Sequence, residues 1–463
     1  MNIKQSIYWH QGLFLQPQHF QQLEMHQRFN REPFVRMLNP FPWGVERLEV
    51  ADSPLGNRIA EVRVLKLLLP DQTYLEYPGN TVIASRSFDK VWTDPELPLN
   101  VYLALRRFSV SQANVTVVDS MPQAAEVRTR FASLSNPGEV ADYYSNSSQA
   151  LMPTIMHVAR LVFETELPGL DDHEIIPLMR LTLDGDQVRV ATQHVPPAVC
   201  MGASLFLTNI VKDIRDDMLG RLRQLEEYKS PRGVNAEDLD ANFLMMMQAV
   251  QVLNHNVPAL THLLEVSTVH PWNVYGQLRQ CVGQLSTFSH RFDVYGRLPG
   301  RDDGLPPYDH QSLGTCFIKV REIIAQLLSE IAVGPEFNVV LTPQGDDVFS
   351  GLMPLDYFGN RHRFYLILQS EAARDIDVRE LLGTSRLAAS AVIADLIDHA
   401  LPGIELIELQ GPPQGLPRRS DARYFRVEQM SEGWERIEET GAISFYWPQA
   451  PEGLRASIVV TRG

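Results

Sequence analysis

Residues Ala241 to Leu264 read ANFLMMMQAVQVLNHNVPALTHLL, and this stretch decides the fold class of the central part of the chain. It contains no Asp, Glu, Lys or Arg. Within it and just before it, large apolar residues recur at spacings that alternate between four and three, at Leu239, Phe243, Met246, Val250, Leu253, Val257, Leu260 and Leu264. Such spacing predicts a helix that packs against others at a shallow angle, as in a four-helix bundle.

The missing charge on this helix bears on assembly. A helix at the surface of a monomeric bundle normally has a charged outer face, whereas the only charged residue between Ala241 and Leu278 is Glu265. One interpretation is an internal helix whose amides bond to neighbouring groups within one chain. The other is a helix whose outer face is buried against copies of itself, and we favour it because a four-helix unit rarely hides one member completely.

Three further helices are predicted around this one. The same alternation of spacings starts them at Leu207, Trp272 and Leu313. The helix from Trp272 is expected to extend as far as Tyr295, before a loop from Leu298 to Pro307. Residues 201–333 are therefore predicted to form a four-helix bundle.

The region before the bundle has the pattern of a β-domain. Turn signals such as Pro78-Gly79-Asn80 and Asp184-Gly185-Asp186 separate short runs rich in Val, Ile, Leu and Thr. The predicted strands are Arg58–Leu69, Val101–Phe108, Ala125–Phe131, Ile155–Glu164 and Leu178–Val190. This pattern predicts a β-sandwich-like domain over residues 43–200.

Ahead of the β-domain, residues 1–42 are expected to form an apolar arm and a helix. The helix is predicted from Pro17 to about Leu38, because proline is favoured at the first helical turn. Pro33 lies inside this range and is expected to kink the helix or end it early.

The region after the bundle mixes both element types. Strands are predicted at Phe337–Thr342, Phe364–Gln369, Ile404–Leu409, Tyr424–Val427, Ile443–Trp447 and Ala456–Val460. Helices are predicted at Arg379–Leu401 and Ser431–Thr440. Residues 334–463 are thus predicted to form an α+β domain, and the whole chain is predicted to be a multidomain α+β protein.

Composition narrows the functional classes. The chain has 463 residues, with 41 Lys and Arg against 56 Asp and Glu, and a net charge of −15. We expect no nucleic-acid partner, because such a partner needs basic surface. The three cysteines, Cys200, Cys281 and Cys316, lie far apart and suit a reducing cytoplasm. No signal-peptide pattern occurs, and the two uncharged stretches, 190–211 and 241–264, are too polar to span a membrane, so a soluble protein is expected.

Catalytic motifs were sought without success. The sequence contains no phosphate loop, no dinucleotide-binding glycine turn and no His-Glu-x-x-His zinc helix. His10, His19 and His26 lie near one another, but no Cys, Asp or Glu completes a metal site at suitable spacing. The segment from Asp171 to Glu174 is interpreted as a solvated loop. We therefore expect no cofactor and no metal, and nothing in the sequence favours an enzyme.

The N-terminal arm is the most informative segment. Residues Ile7 to Phe20 read IYWHQGLFLQPQHF, in which six large apolar residues occupy nine positions ahead of Pro17. An arm this short cannot form a core, so it must lie on another surface. It either packs on its own β-domain or docks into a partner, with Trp9 or Phe14 as an aromatic anchor.

These residues resemble a known family. The pattern Trp9-x-x-Gly12-x-x-Leu15-x-Pro17-Gln18-His19-Phe20 is similar to the N-terminal signature of TssK, the baseplate subunit of bacterial type VI secretion systems. Gln11 stands where the family usually has an acidic residue. Further similarities are Trp43-Gly44-Val45, His270-Pro271-Trp272-x-x-Tyr275 and, near the C-terminus, Phe445-Tyr446-Trp447-Pro448. The similarity follows the whole chain in order.

The resemblance implies a cytoplasmic homotrimer with three parts: a β "shoulder", a helical "neck" and a C-terminal "head". It implies that the shoulder side binds the TssF–TssG wedge of the baseplate. The head is implied to bind the cytoplasmic parts of TssL and TssM and so to recruit the protein to the inner face of the inner membrane. The function expected is a non-enzymatic structural adaptor.

Candidate contact residues follow from this reading. Those expected to form or support the baseplate contact are Trp9, Gly12, Leu13, Phe14, Leu15, Pro17, Gln18, His19 and Phe20. Those expected to contact the membrane complex are Arg361, His362, Arg363, Arg418 and Arg419, although each of them could equally be an ordinary solvated charge. Two alternatives stay open: a phage-type receptor-binding protein, and a hydrolase or metalloenzyme with a site between the β-domain and the bundle.

Overall fold

The computed structural model describes residues 2–94, 96–145, 148–225, 241–301, 303–331, 337–345, 347–358, 362–370, 377–409, 411–412 and 421–462. The chain divides into two compact units. The first comprises Met1–Met218 with His255–Leu328, and the second comprises Leu219–Asn254 with Ser329–Gly463. The division of the chain into four regions remains a prediction.

The helices and strands of the described residues are as follows. The helices are α1 Pro17–Leu38, α2 Asp52–Leu55, α3 Met121–Ala124, α4 Leu205–Gln224, α5 Ala241–Leu264, α6 Pro271–Leu285, α7 Leu313–Glu330, α8 Val378–Thr384, α9 Ile393–Asp398 and α10 Glu432–Thr440. The strands are β1 Gly44–Val50, β2 Ile59–Ala60, β3 Val62–Leu68, β4 Tyr74–Tyr77, β5 Thr81–Ile83, β6 Arg86–Ser87, β7 Leu99–Arg106, β8 Val115–Val118, β9 Phe131–Leu134, β10 Glu139–Ala141, β11 Gln149–Leu151, β12 Met156–Phe163, β13 His173–Asp184, β14 Gln187–Val190, β15 Phe337–Gly345, β16 Val348–Leu352, β17 His362–Gln369, β18 Arg386–Ala389, β19 Leu406–Leu409, β20 Ala422–Val427, β21 Ala442–Tyr446 and β22 Arg455–Arg462.

Two sheets of the first unit contribute to one hydrophobic core. A seven-stranded sheet has the order β14-β13-β7-β12-β9-β8, with β5 parallel to β12, and a three-stranded sheet has the order β1-β3-β4. Alternating side chains of both sheets point into the shared core, among them Val45, Leu65, Leu67, Leu103, Leu105, Leu161, Phe163, Ile176 and Leu178. Period-two alternation of this kind is what made the strands visible in the sequence.

Three predicted strands of this region need correction. Leu178–Val190 is divided by the turn at Gly185 into the end of β13 and β14, which pair antiparallel with each other. Ala125–Phe131 is mostly not a strand, because Pro122 starts the short helix α3 and successive turns continue as far as Val127, so that β9 begins only at Phe131. Arg58–Leu69 is divided into β2 and β3, because β2 pairs with β6 whereas β3 pairs with β1 and β4. The predicted solvated loop Asp171–Glu174 is also wrong in its second half, since His173 and Glu174 begin β13.

The helix predicted after the arm is confirmed with both of its ends. Helix α1 runs from Pro17 to Leu38 and continues through Pro33. The expected early end at Pro33 is therefore wrong.

Helix α6, by contrast, ends at Leu285 and does not reach Tyr295. Ser289 and Asp293 accept hydrogen bonds from backbone N–H groups and fold the residues after the helix into turns.

Contacts among the helices of the first unit join α4, α5, α6 and α7. Asn256 of α5 is buried and bonds to two α6 amides: its Nδ2 donates to Oε1 of Gln284 (2.6 Å), and its Oδ1 accepts from Nε2 of Gln277 (3.2 Å). The rings of Tyr275 and Phe317 join α6 to α7, with centroids 5.6 Å apart. Arg321 of α7 pairs with Asp213 of α4 at 3.2 Å.

The predicted apolar face of α5 lies largely within the described residues. Met246, Val250, Leu253, Val257 and Leu260 are buried, and Leu264 is half-buried. Leu239 lies outside the described residues, and for Phe243 only the backbone is described. A four-helix bundle over the full length of the helices stays a prediction.

The second unit contains an eight-stranded antiparallel sheet of order β18-β21-β16-β15-β22-β17-β20-β19. Its core surrounds Trp434 of α10, which packs on Phe364 with ring centroids 4.6 Å apart. The single helix predicted over Arg379–Leu401 is wrong: this segment forms α8, β18 and α9. Strand β18 exists because it pairs with β21 and because Gly403, whose missing Cβ leaves room for the Leu387 backbone, packs directly against it.

Candidate interaction surfaces

Helix α1 and the arm before it expose an unusual amount of apolar surface. Every residue of α1 is described and none of them is buried, although the helix is 22 residues long. The exposed large apolar residues of the arm and α1 are Ile3, Tyr8, Trp9, Phe14, Leu15, Phe20, Phe34, Met37 and Leu38, with Phe14 at 79% and Phe34 at 71% of full exposure. Large apolar side chains exposed in this number favour a surface that binds another molecule.

The arm folds back along α1 through polar contacts. Nε2 of Gln22 donates to the carbonyl oxygens of Asn2 (2.7 Å) and Gln5 (3.0 Å), and Nδ1 of His26 donates to the carbonyl oxygen of Ile3 (2.9 Å). At the start of α1, Nδ1 of His19 accepts a hydrogen bond from the Gln16 N–H (3.1 Å). These exposed bonds hold the arm's backbone and leave its large rings accessible.

The nine predicted baseplate-contact residues thus lie together on the arm and the first turn of α1. Trp9, Phe14, Leu15, Pro17, Gln18 and Phe20 are exposed, whereas Leu13 and His19 are half-buried. Gly12 occupies a turn at φ +86°, a conformation that favours glycine. The ring of Trp9 lies near His19, with centroids 6.4 Å apart. Which molecule these residues contact stays a prediction.

A polar cluster attaches α1 to the β-domain. The guanidinium of Arg28 donates to the backbone oxygen of Asp71 and to Oγ1 of Thr73 (2.7 Å), and it lies 3.4 Å from the Asp71 carboxylate. From the other side Arg130, at 1% exposure, donates to the same Thr73 oxygen (2.6 Å), to Asp71 (3.2 Å) and to the Arg106 carbonyl (2.8 Å). We call Arg28, Asp71, Thr73 and Arg130 the arginine clamp.

The electrostatics of the arginine clamp follow from its burial. Burial acts to raise the pKa of Asp71, but the hydrogen bonds from Thr73 and the charges of Arg130 and Arg28 outweigh it and lower the pKa below its usual value. His157 lies beside the clamp, and its burial together with the charge of Arg130 lowers its pKa to about 4. The carboxylate therefore stays ionised and the imidazole stays neutral at pH 7.

A second cluster ties the segment after α1 to the helices. Nε2 of His270 donates to the Phe41 carbonyl (2.9 Å), and its Nδ1 accepts from the Trp272 N–H at the start of α6. Nε2 of His310 donates to the Trp43 carbonyl (2.7 Å), and its Nδ1 pairs with the Tyr308 hydroxyl (2.9 Å). The two imidazoles stack with centroids 5.6 Å apart. This cluster explains why Trp43 and the His270-Pro271-Trp272 motif occur together in the chain.

Gly44 shows how closely the chain packs at this junction. Its φ is +133°, and a Cβ there would lie 2.7 Å from backbone atoms of Pro197 and Ala198. Val45 follows and donates to the Pro197 carbonyl (2.7 Å). The residue at position 44 must therefore lack a side chain.

We expect the stability of the protein to fall as the pH drops from about 6.5 to about 4. Burial lowers the pKa of His310 to about 4, and the pKa values of His157 and His194 are lowered to about 4 by burial together with the charges of Arg130 and Arg180. The unfolded chain takes up these protons below about pH 6.5, so it binds more protons than the folded chain in this window. The free energy of unfolding then falls by up to about 1.4 kcal/mol per pH unit for fully buried His310.

Scanning calorimetry from pH 7.5 to pH 4.5 measures this dependence. His310→Gln should flatten the profile, because it removes one of the three histidines whose pKa is lowered. A melting temperature in the wild-type chain that is constant between pH 6.5 and pH 4.5 would contradict the expectation.

Helix α5 presents an exposed stripe without charge. The stripe comprises Leu244, Gln248, Gln251, Asn254, His255, Pro258 and His262, which follow one side of the helix. The interpretation that α5 is hidden completely within one chain is therefore wrong for these residues. Asn256, on the opposite side, does satisfy its amide within the chain.

The candidate residues of the C-terminal region are described only in part. Arg361, Arg418 and Arg419 lie outside the described residues. His362 and Arg363 begin β17, where His362 is half-buried and Arg363 is exposed. The carbonyl of His362 accepts a hydrogen bond from Gln429 (3.2 Å).

A cleft of about 730 Å³ lies in the first unit and tests the enzyme alternative. Its lining includes Arg180, His194, Ser312 and Thr315. His194 is its one histidine, and burial and the Arg180 charge keep it neutral.

Among the described residues no group of three His, Cys, Asp or Glu side chains could hold a metal ion, and His10, His19 and His26 form none. No helix in the described ranges is both long and apolar enough to cross a membrane.

The sequence did not indicate the arginine clamp. Arg28 and Arg130 are 102 positions apart, and each looks like an ordinary surface charge in its local sequence. Asp71 follows Pro70, a pair typical of a turn. Strands that are distant in the sequence bring these side chains together, so a single sequence has no local signal for them.

Comparison with known proteins identifies related chains. The family model T6SS_VasE, described as "Bacterial Type VI secretion, VC_A0110, EvfL, ImpJ, VasE", matches residues 19–460. The "Type VI secretion system baseplate component TssK1" of Pseudomonas aeruginosa strain PAO1 is 22% identical over 478 residues, and the alignment covers 100% of both chains.

Solved structures of similar fold belong to the same system. A chain of "The baseplate complex from the type VI secretion system" has a TM-score of 0.64 at 20% identity and covers 100% of both chains. "Crystal structure of TssK" has a TM-score of 0.60 at 21% identity, with 99% of this chain and 100% of that chain covered. A chain of the "TssK-TssF-TssG baseplate subcomplex" has a TM-score of 0.59 at 22% identity, with 70% of this chain and 99% of that chain covered.

Proposed function

The chain belongs to the T6SS_VasE family of bacterial type VI secretion proteins, the TssK family that its sequence resembles, and we propose that it is a non-enzymatic adaptor of the secretion baseplate. In this role it holds other proteins at fixed positions and performs no chemical step. Its contacts with those proteins then decide its function.

The observation that carries the proposal is the exposed apolar surface of the arm and α1. No side chain of this 22-residue helix is fully buried, although Leu23, Phe29 and Val35 are half-buried. Polar bonds from Arg28 to Asp71 and Thr73 also attach the helix, and Phe20 and Phe34 stay accessible. Such a surface is what an adaptor needs to bind a partner.

The partner proposed for this surface is the wedge formed by TssF and TssG. A chain of similar fold occurs in a solved TssK–TssF–TssG subcomplex, which supports this choice. Trp9 and Phe14 are proposed as the anchors, because exposed aromatic side chains that become buried contribute most to binding energy in interfaces. The other seven predicted contact residues shape the turn and the start of α1 around them.

Replacing Trp9 and Phe14 together by Ala is expected to weaken wedge binding at least about a hundredfold, since each anchor contributes about 2 kcal/mol or more. Affinity is measured by interferometry with purified TssF–TssG. Met430→Ala serves as the control, because Met430 is a large exposed apolar residue that lies in the second unit. Wedge affinity that is unchanged in the folded double variant would reject the arm as the baseplate contact.

We also propose that the adaptor is a homotrimer assembled through α5. The uncharged exposed stripe of α5 supports this arrangement, because polar but uncharged side chains can be buried against sister chains with their amides paired, whereas ionic ones would be costly to desolvate. The shoulder, neck and head arrangement over 43–200, 201–333 and 334–463 belongs to the same proposal.

The C-terminal region is proposed to bind the cytoplasmic parts of TssL and TssM and so to hold the baseplate at the inner face of the inner membrane. The resemblance to the TssK family implies this role. Exposed Arg363 at the start of β17 is the described residue that fits a polar contact of this kind. Three heads on one trimer would bind with a high effective concentration, so each single contact can be weak.

A further inference from the structure

A β-hairpin projects from the β-domain and carries two accessible aromatic rings. It consists of β10 and β11, which pair antiparallel from Glu139 opposite Leu151 to Ala141 opposite Gln149. In the turn that follows β10, Tyr143 is 90% exposed and Tyr144 is 102% exposed. The short strands contain no buried residue, so the hairpin takes no part in the core.

Hydrogen bonds hold the backbone of the described residues that present the tyrosines. Oδ1 of Asp142 accepts hydrogen bonds from the N–H groups of Tyr144 (2.9 Å) and Ser145 (2.7 Å). The Asp142 N–H donates to the Ser148 carbonyl (2.9 Å) and closes the hairpin. Preorganised aromatic side chains bind with a smaller loss of conformational entropy than mobile ones.

Charge and apolar surface define what the hairpin can bind. From Gly138 to Ile155 the chain has two carboxylates, Glu139 and Asp142, and no Lys, Arg or His. Along the strand that leads back to the domain, Leu151, Met152 and Ile155 are exposed. An acidic, apolar element of an acidic protein is repelled by the anionic lipids of a membrane surface. Its charge instead complements a protein cleft bordered by cations.

The root of the hairpin lies next to the arginine clamp. Directly after the hairpin, Met156 and His157 pair with β9, and the Val158 N–H donates to the Arg130 carbonyl (2.9 Å). The side chain of Arg130 shares Thr73 with Arg28 of α1. The strand that follows the hairpin therefore starts beside the residues that attach α1 to the β-domain.

We propose that the hairpin of β10 and β11 is a second docking element for the baseplate wedge, which places both tyrosine rings in an apolar cleft bordered by Lys or Arg side chains. The inference rests on the proposed function, because it assigns the hairpin to the same partner as the arm. A partner that covers the arm and the residues that attach α1 to the β-domain would lie beside the hairpin root as well.

The test measures the affinity of hairpin variants for purified TssF–TssG. Tyr143→Ala with Tyr144→Ala is expected to raise the Kd at least about tenfold, whereas Tyr143→Phe with Tyr144→Phe should bind nearly as well as the wild-type chain. Glu139→Lys should weaken binding and reduce its dependence on salt, because it removes an attractive charge. Val110→Ala is the matched control, since Val110 is 91% exposed in the same β-domain but lies outside the hairpin.

The outcomes separate this inference from the proposed function. The arm variant can lose wedge affinity while Tyr143→Ala with Tyr144→Ala keeps it. This result overturns the hairpin contact and leaves the adaptor role intact. Affinity unchanged in both variants overturns both. Tyrosine-dependent binding to vesicles of phosphatidylcholine and phosphatidylglycerol would instead make the partner a lipid surface and reject the inference. All variants change exposed side chains, so calorimetry should show unaltered melting temperatures.

Discussion

Replacing Gln251 and Asn254 together by Glu is expected to convert the proposed homotrimer into single chains. Both residues lie on the exposed uncharged stripe of α5. In a trimer assembled through this stripe, the double variant would bring six carboxylates into one interface. Each would lose much of its hydration, at several kcal/mol per ion, and would repel its neighbours. A loss of this size exceeds what a trimer interface can tolerate.

Light scattering coupled to size exclusion measures the result directly. The wild-type chain should have three times the mass of one 52.4 kDa chain, and the Glu variant should have the mass of one. Asn273→Glu with Gln280→Glu is the matched control, because it adds the same charge to exposed positions of α6. Since the stripe is exposed in the single chain, the Glu variant should still fold. A trimer that survives the substitution would show that α5 is not the assembly surface.

The proposed trimer would contribute to function through rigidity. Helix α5 has 24 residues, which at about 1.5 Å per residue form a rod of about 36 Å. Three such helices packed on one another would resist bending more than one, and so would suit the proposed role of holding partners at a fixed spacing.

The elements that sequence analysis predicted well are those whose signals are local. The start of α1 follows from Pro17, which is favoured in the first helical turn. The face of α5 follows from its alternating spacing, and five of its eight predicted core residues are buried. The arm was recognised because apolar residues in so short a segment require a surface outside it. Each of these inferences needs only residues within about twenty positions of one another.

The elements that were mispredicted depend on distant partners. Arg386–Ala389 has a helical composition but becomes β18, because β21 offers it a pairing edge and Gly403 allows close approach. Helix α6 ends at Leu285 although the apolar spacing continues, because Ser289 and Asp293 bind the backbone in turns. The uncharged stripe of α5 was predicted, but only the structure shows that it remains exposed in a single chain.

The arginine clamp yields the second prediction with a large effect, because its two arginines play different roles. Arg130→Met is expected to destabilise the β-domain by about 2 to 4 kcal/mol, since it leaves Asp71 with only the half-exposed Arg28 as its cation and the buried Arg106 carbonyl without its donor. Arg28→Met removes a half-exposed side chain instead. It should lower stability by only about 1 kcal/mol, yet it detaches α1 from Asp71 and Thr73.

The pair of variants therefore separates folding from the positioning of the arm. Arg130→Met should lower the melting temperature strongly, whereas Arg28→Met should leave it nearly unchanged and still weaken wedge binding, because α1 and the arm are no longer held at one angle to the domain. Hydrogen exchange should show faster exchange of α1 amides in Arg28→Met, with β7 and β12 unaffected. The control is Arg36→Met, on the exposed end of α1. If Arg28→Met keeps full wedge affinity, the arginine clamp stabilises the domain but does not position the contact surface.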